Sequence, residues 1–246
     1  SLATLTPNRV FAQIPPDDSI QILGQLPPLP ADLKANAAEP PAPYTETALV
    51  GTAPPSKNEV DTAFEILRGS PFGTSPIEIA QYFLAVGAGA YGEALRPYAR
   101  EWPIRANPVI FHFFSATQTK PEGDTTAWCA AFVNWCLLRA RAKKETQIGI
   151  APGYFSQGGE AFDINDLKEH STNSASSGSF RCWTETKQPQ PGNIVVLANK
   201  GTEGLSAVCR GQGHVTFFLN KPRDGWVRVL GGNQTLAGSN GAVTVA

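Results

Sequence analysis

The chain has 246 residues, 41% of them hydrophobic, with 20 basic and 21 acidic side chains and a net charge of −1. That is room for one good-sized domain, or one domain plus a smaller attachment, with enough apolar material for a core. No basic stripe is present, which removes the electrostatic support for a nucleic-acid partner or an anionic membrane surface. No apolar run approaches the roughly 18 residues of a transmembrane helix. The chain begins at Ser1 and contains no methionine, so it reads as a mature or trimmed product, and any secretion signal would lie outside it.

Residues 1–57 carry about half of the 21 prolines, in runs such as Pro27-Pro28-Leu29-Pro30 and Pro40-Pro41-Ala42-Pro43. Proline fixes φ and removes a donor, so this stretch is expected to be an extended arm or linker. Residues 58–103 read as a helical segment. Ser56 and Glu59 form a capping box ahead of Val60, Ala63, Phe64 and Leu67, and Gly69-Ser70-Pro71 ends that helix. Ser75, Pro76 and Glu78 open a second helix with Ile79, Ala80, Phe83, Leu84 and Val86 on its buried side. A short helix over 93–101 stops at Trp102-Pro103.

Residues 104–246 read as the main domain. Pro108 to Ser115 is apolar and aromatic and is expected to be a short buried helix. Thr125 to Ala142 is the strongest helix, with Trp128, Phe132, Trp135 and Cys136 along its apolar side. Residues 149–180 are rich in Gly, Ser and Asn, the composition of a long loop with one short helix. The period then changes: Asn193–Ala198, His214–Leu219, Trp226–Leu230 and Ala242–Val245 are short β-rich runs separated by turn residues. Helices first and strands second, with hairpin-like spacing, predict an α+β fold with a small antiparallel sheet.

Four cysteines are available. Cys129 and Cys136 on one helix are separated by about 10 Å of rise, too far for a disulfide. Cys182 with Cys209 remains an open pairing. Cys129 follows Asp124-Thr125-Thr126-Ala127-Trp128, which places its thiol near a helix start, where free N–H groups and the helix dipole favour a thiolate. Cys136, two turns on, reads as a small buried hydrophobe. A nucleophilic cysteine needs a base, and there are three histidines. His112 lies among phenylalanines and reads as a packed ring; His170 lies in the polar Lys168-Glu169-His170-Ser171 and reads as solvated. His214, in Gly211-Gln212-Gly213-His214-Val215, opens a strand after a glycine-rich loop, where an imidazole is held firmly. Asn233, after Gly231-Gly232, is the candidate to orient that imidazole, its other reading being a plain turn residue. The Cys129 N–H is one oxyanion donor; no second donor is identifiable, and Asp124 reads as a helix cap or loop organiser. Neither Cys-x-x-Cys nor His-Glu-x-x-His occurs, so no metal site is expected, and the serine elbow Gly-x-Ser-x-Gly is absent.

The string Trp128-Cys129-Ala-Ala-Phe-Val-Asn134-Trp-Cys136, then Pro191-Gly192-Asn193-Ile194-Val195-Val196, Gly213-His214-Val215 and Leu230-Gly231-Gly232-Asn233-Gln234, resembles the CHAP and NlpC-type cell-wall amidases and endopeptidases. Asn107-Pro108 and Arg181-x-Trp183 fit weaker flanking features, so the resemblance covers roughly 104–246. It departs at Ala127, where relatives often have proline, and at Gly231 and Gly232, near which many relatives carry an acidic residue. The resemblance implies a papain-like fold with helices packed on the sheet, and catalysis by Cys129, His214 and Asn233. Trp128, Asp124, Gly213 and Gln234 fall around them as substrate-binding residues. It further implies an acyl-enzyme mechanism needing no cofactor, peptidoglycan stem or cross-link peptides as substrate, and a secreted, periplasmic or cell-wall location. Wall remodelling, lysis and a delivered antibacterial toxin all suit this chemistry, the last with an immunity protein as partner. Two other readings stay open: a catalytically silent wall-binding or interaction module, and a papain-like enzyme acting on another protein amide.

Overall fold

A computed structural model describes residues 53–102, 104–123, 126–144, 148, 162–199, 201, 208–234 and 241–246. The proline-rich arm, apart from its last few residues, lies outside these. Helix α1 (Lys57–Gly69) starts on the expected capping box: Glu59 N–H donates to Ser56 Oγ at 3.3 Å and Ser56 N–H to Glu59 Oε2 at 2.6 Å. Helix α2 (Pro76–Gly87) has Pro at its first position and a Ser75 N–H to Glu78 Oε2 bond of 3.0 Å. The segment expected as a helix over 93–101 is a 3₁₀ helix, Glu93–Ala99, with Pro97 inside it; proline lacks the N–H that an α-helix would use there. Helix α3 (Pro108–Phe113) is buried along its whole length and is capped by the Asn107 side chain on Val109 N–H.

Helix α4 (Cys129–Arg141) is the centre of the molecule. Residues 129–136 are all buried, the signature of a helix covered on every side. It starts at Cys129 rather than at Thr125, with Trp128 as its N-cap residue. Phe83, Phe113, Phe132 and Trp135 meet mostly edge to face at centroid distances between 5.1 and 6.0 Å, the geometry that aromatic quadrupoles favour. Residues of the segment 58–103 and of 104–246 enter one hydrophobic cluster, from Val60 and Phe64 through Phe132 to Val245. Arg139, fully buried, donates from Nε to Ser70 Oγ and from Nη2 to Ser70 O and Arg68 O, closing the end of α1. Helix α5 (Ile164–His170) and a 3₁₀ turn (Ser177–Cys182) occupy the loop-rich region.

The sheet is antiparallel in the order β1 (Ile194–Ala198), β2 (Gly213–Asn220), β3 (Arg228–Gln234), β4 (Ala242–Val245). The architecture is α+β, as the sequence predicts, with α4 against β2 and β3 and α2 against β4. Strand β3 does not stop at Leu230 but runs on to Gln234. The continuation passes through an irregularity between Gly231 and Gln234, at which Asn233 adopts φ 58°. Asn tolerates this left-handed conformation better than most residues, and one extra residue changes which face the following side chain takes.

Glycine at 232 is set by close approach. A Cβ there would meet Trp128 Cε3 at 2.8 Å and Phe132 Cγ at 2.9 Å, on two rings with no exposed surface. Gly232→Ala is expected to destabilise the fold by about 1–3 kcal/mol through overpacking, read as a lower urea midpoint with unchanged slope.

Candidate active site

Cys129 occupies the first position of α4 and is only 4% exposed. Its sulfur lies where the backbone N–H groups of Val215, Ala130 and Cys129 itself can donate to it. Val215 directly follows His214 on β2, so packing of α4 on the sheet sets the thiol against the backbone next to the imidazole, though 85 positions separate the two residues in sequence. The burial of this corner raises the thiol above its ordinary value, and the three N–H groups pull in the opposite direction without reversing it. The expectation of a thiolate made by the helix start is therefore corrected: partial positive charge from free N–H groups is present, but desolvation of the charged form outweighs it.

His214 is half-buried at the start of β2, paired with Leu197 of β1. Its Nε2 meets Gln234 Oε1 at 3.2 Å, while the Gln234 Nε2 donates to Thr244 O at 2.5 Å. Because the amide nitrogen is engaged by a carbonyl on β4, the amide oxygen is the end that faces the ring. An accepting oxygen at Nε2 fixes the proton on Nε2 and leaves Nδ1 with a lone pair. Burial lowers the imidazole below its ordinary value, with Gln234 acting to raise it. Burial thus acts against the charged form of both groups.

Asn233 is not the residue that touches the imidazole. Its Oδ1 lies beside Gly241, at the place where a Cβ on that glycine would also strike the Glu101 carboxylate. The β3 irregularity explains the exchange: the left-handed residue diverts Asn233 and returns Gln234 to the His214 face. Gly231 leaves room there, since a Cβ on it would meet Thr216 Cβ at 2.9 Å and Gln234 Oε1 at 3.2 Å.

The four residues expected to bind substrate separate. Trp128 has no exposed surface, and its Nε1 donates to Glu101 Oε1 at 3.0 Å; its ring supports the site from behind and cannot touch a ligand. Gln234 is 6% exposed with both ends of its amide engaged, so it orients the imidazole. Gly213 pairs with Ala198, and a Cβ there would run into the Leu197 backbone, which accounts for its lack of a side chain. Asp124 lies outside the described residues.

The other histidines are elsewhere. His112 is buried, bonds through Nδ1 to Pro108 O, meets Phe64 edge to face at 4.9 Å, and is pushed by burial down to about 4. His170 lies 3.6 Å from Glu169 in α5. Cys136 is fully buried and burial raises its thiol further. Cys182 and Cys209 form a disulfide with Cα atoms 5.2 Å apart, joining the Ser177–Cys182 turn to the segment leading into β2. Among the described residues, no group of three or more His, Cys, Asp or Glu side chains is placed to hold a metal ion.

Glu101 joins the site only through the fold. It is 7% exposed, accepts from Trp128 Nε1 through one oxygen and from Gly241 N–H through the other, and its own N–H donates to Gly241 O at 2.9 Å. An acidic residue ahead of Trp102-Pro103 carries no local signal of such a role.

A neutral pair gives a definite pH dependence. Protonation of His214 removes the acceptor, so any rate that uses it should fall on the acid side with a midpoint below 6.5, the ordinary imidazole value, and hold on the alkaline side to above 9.0, the ordinary thiol value. Gln234→Ala removes a bond that raises His214, so its acid midpoint should move lower still. Gln234→Glu, placing a carboxylate at Nε2, should move it higher. Hydrolysis rates across pH for the three proteins check both signs.

Residues 121–233 match the family model of the CHAP domain. The match takes in Cys129, His214 and Asn233, ends one residue before Gln234, and leaves Glu101 outside. No curated protein and no solved structure gave a match. CHAP domains are in general hydrolases, amidases and peptidases that act on peptidoglycan. Over residues 121–233 this chain is similar to that family.

Proposed function

We propose that the chain is a papain-like cysteine hydrolase that cleaves amide bonds in peptidoglycan stem or cross-link peptides. The observation that carries this reading is the meeting of α4 and β2: the Cys129 sulfur lies against the N–H of Val215, the residue that follows His214, and the His214 Nε2 is held by Gln234.

In this reading the Cys129 thiol passes its proton to His214 Nδ1 as the sulfur attacks the peptide carbonyl carbon. The carbonyl oxygen becomes an oxyanion, which the Cys129 backbone N–H is available to stabilise. Collapse breaks the C–N bond, the imidazolium gives its proton to the departing amine, and a thioester remains. Water then attacks the thioester, giving a proton to Nδ1; the C–S bond breaks, the carboxylic acid leaves, and the imidazolium returns its proton to the sulfur, restoring the thiol. Gln234 keeps Nε2 protonated throughout, which holds the ring in the tautomer that both steps need. Starting from a neutral pair, the burial that disfavours a resting thiolate also strengthens the N–H contacts formed once charge develops.

The Cys182–Cys209 disulfide supports action outside the reducing cytoplasm, in the periplasm or at the cell wall. The 4% exposure of Cys129 gives some weight to the second reading, a silent wall-binding module on the same fold. Mass spectrometry of purified sacculi after incubation separates the two. The intact chain should release fragments with new amino and carboxyl termini, and Cys129→Ala and His214→Ala should each lower the yield about 10³-fold or more while circular dichroism stays native. Intact sacculi after treatment with the unaltered chain, or full yield from Cys129→Ala, would overturn the assignment.

A further inference from the structure

Glu101 stands between the two halves of this site. One carboxylate oxygen accepts from the indole of Trp128, the residue immediately before the nucleophile and the N-cap of α4. The other accepts from Gly241 N–H at 3.0 Å, and the Glu101 N–H returns a bond to Gly241 O at 2.9 Å. Gly241 leads into β4, which pairs Ala242 with Gln234 and supplies the Thr244 carbonyl that turns the Gln234 amide toward His214. Arg100 bridges to Ala242 beside it. A buried carboxylate is costly to keep unless its oxygens are occupied, and here one is occupied by the residue before Cys129 and the other by the residue before the β4 partner of Gln234. Its position is also closely fitted, since a Cβ on Gly241 would collide with it.

We infer that Glu101 is a positioning residue: its carboxylate sets the α4 start that carries Cys129 in register with the β3–β4 pair that orients His214. The inference rests on the proposed Cys129–His214 chemistry, and it assigns part of the site to the helical segment 58–103, outside the matched domain. Both connections run through one side chain. Loss of the carboxylate frees the Trp128 indole and the Gly241 N–H together, and the nucleophile and the imidazole partner drift independently. Misplacement of this kind lowers turnover without greatly altering substrate affinity.

The test compares the full chain with Glu101→Ala, Glu101→Gln and Trp128→Phe, each first shown to be folded by near-ultraviolet circular dichroism. Glu101→Gln keeps the shape and one good acceptor, so it serves if Glu101→Ala does not fold. Two quantities are read: kcat and KM on peptidoglycan fragments, and the proton NMR signal of the His214 Nε2–H, which depends on Gln234 and not on turnover. Glu101→Ala is expected to lower kcat about tenfold to a hundredfold with KM nearly unchanged and to weaken the Nε2–H signal. Glu101→Gln should fall between it and the unaltered chain, and pairing Glu101→Gln with Trp128→Phe should cost less than the two single losses multiplied. Folded Glu101 variants with kcat and the His214 signal both within about twofold of the unaltered chain would overturn the inference. If the unaltered chain fails to cut peptidoglycan, the proposed function falls, and the Nε2–H signal alone still decides whether Glu101 holds the imidazole partner in place.

Discussion

The arrangement depends on how the start of α4 packs against β2 and β3. Trp128 is sealed between Glu101, Phe113, Phe132 and the space left by Gly232, and this contact fixes where the next residue, Cys129, points. Since residues 129–136 of α4 are all buried, the helix cannot shift along the sheet without breaking the aromatic cluster that surrounds it. Dense packing transmits position with little slack. The position of the Cys129 sulfur against the N–H of Val215, the residue after His214 on β2, is therefore a consequence of core packing.

The same burial governs the electrostatics. A helix N-terminus and three backbone N–H groups would favour a thiolate at a more exposed place, yet desolvation is the larger effect on Cys129 and on His214, and it pushes one thiol up and one imidazole down. The two shifts act together to keep both groups uncharged at neutral pH. In the proposed reaction, charge then develops where backbone N–H groups already face the sulfur.

Much of this was legible in the sequence because its physical causes are local. Capping residues Ser56 and Ser75, the apolar run from Cys129 to Cys136 and the four β-rich segments each announce their element, and order along the chain gives the α+β class. Residues chosen by chemistry, Cys129 and His214, fall on the elements expected of them. What failed to show depends on register and on contacts between distant segments. Nothing in Gly231-Gly232-Asn233-Gln234 reveals that Asn233 turns left-handed and passes the imidazole to Gln234. Asp124 and Thr125 look like caps and predict a helix start four residues early, whereas Trp128 takes the N-cap position without a side-chain capping bond. Glu101 has significance only through Trp128 and Gly241, 27 and 140 positions away. The Cys182–Cys209 pairing likewise needed the fold to bring its two segments together.

The most direct test of this account is the ionisation of Cys129 itself, followed by ultraviolet thiolate absorbance across pH in the unaltered chain and in His214→Ala, with Cys129→Ala as the blank. Packing-controlled burial predicts a thiol that ionises above its ordinary value of 9.0 and no thiolate signal at neutral pH in either protein. A thiolate already present at mildly acid pH, and lost when His214 is replaced, would mean a resting ion pair and would contradict it.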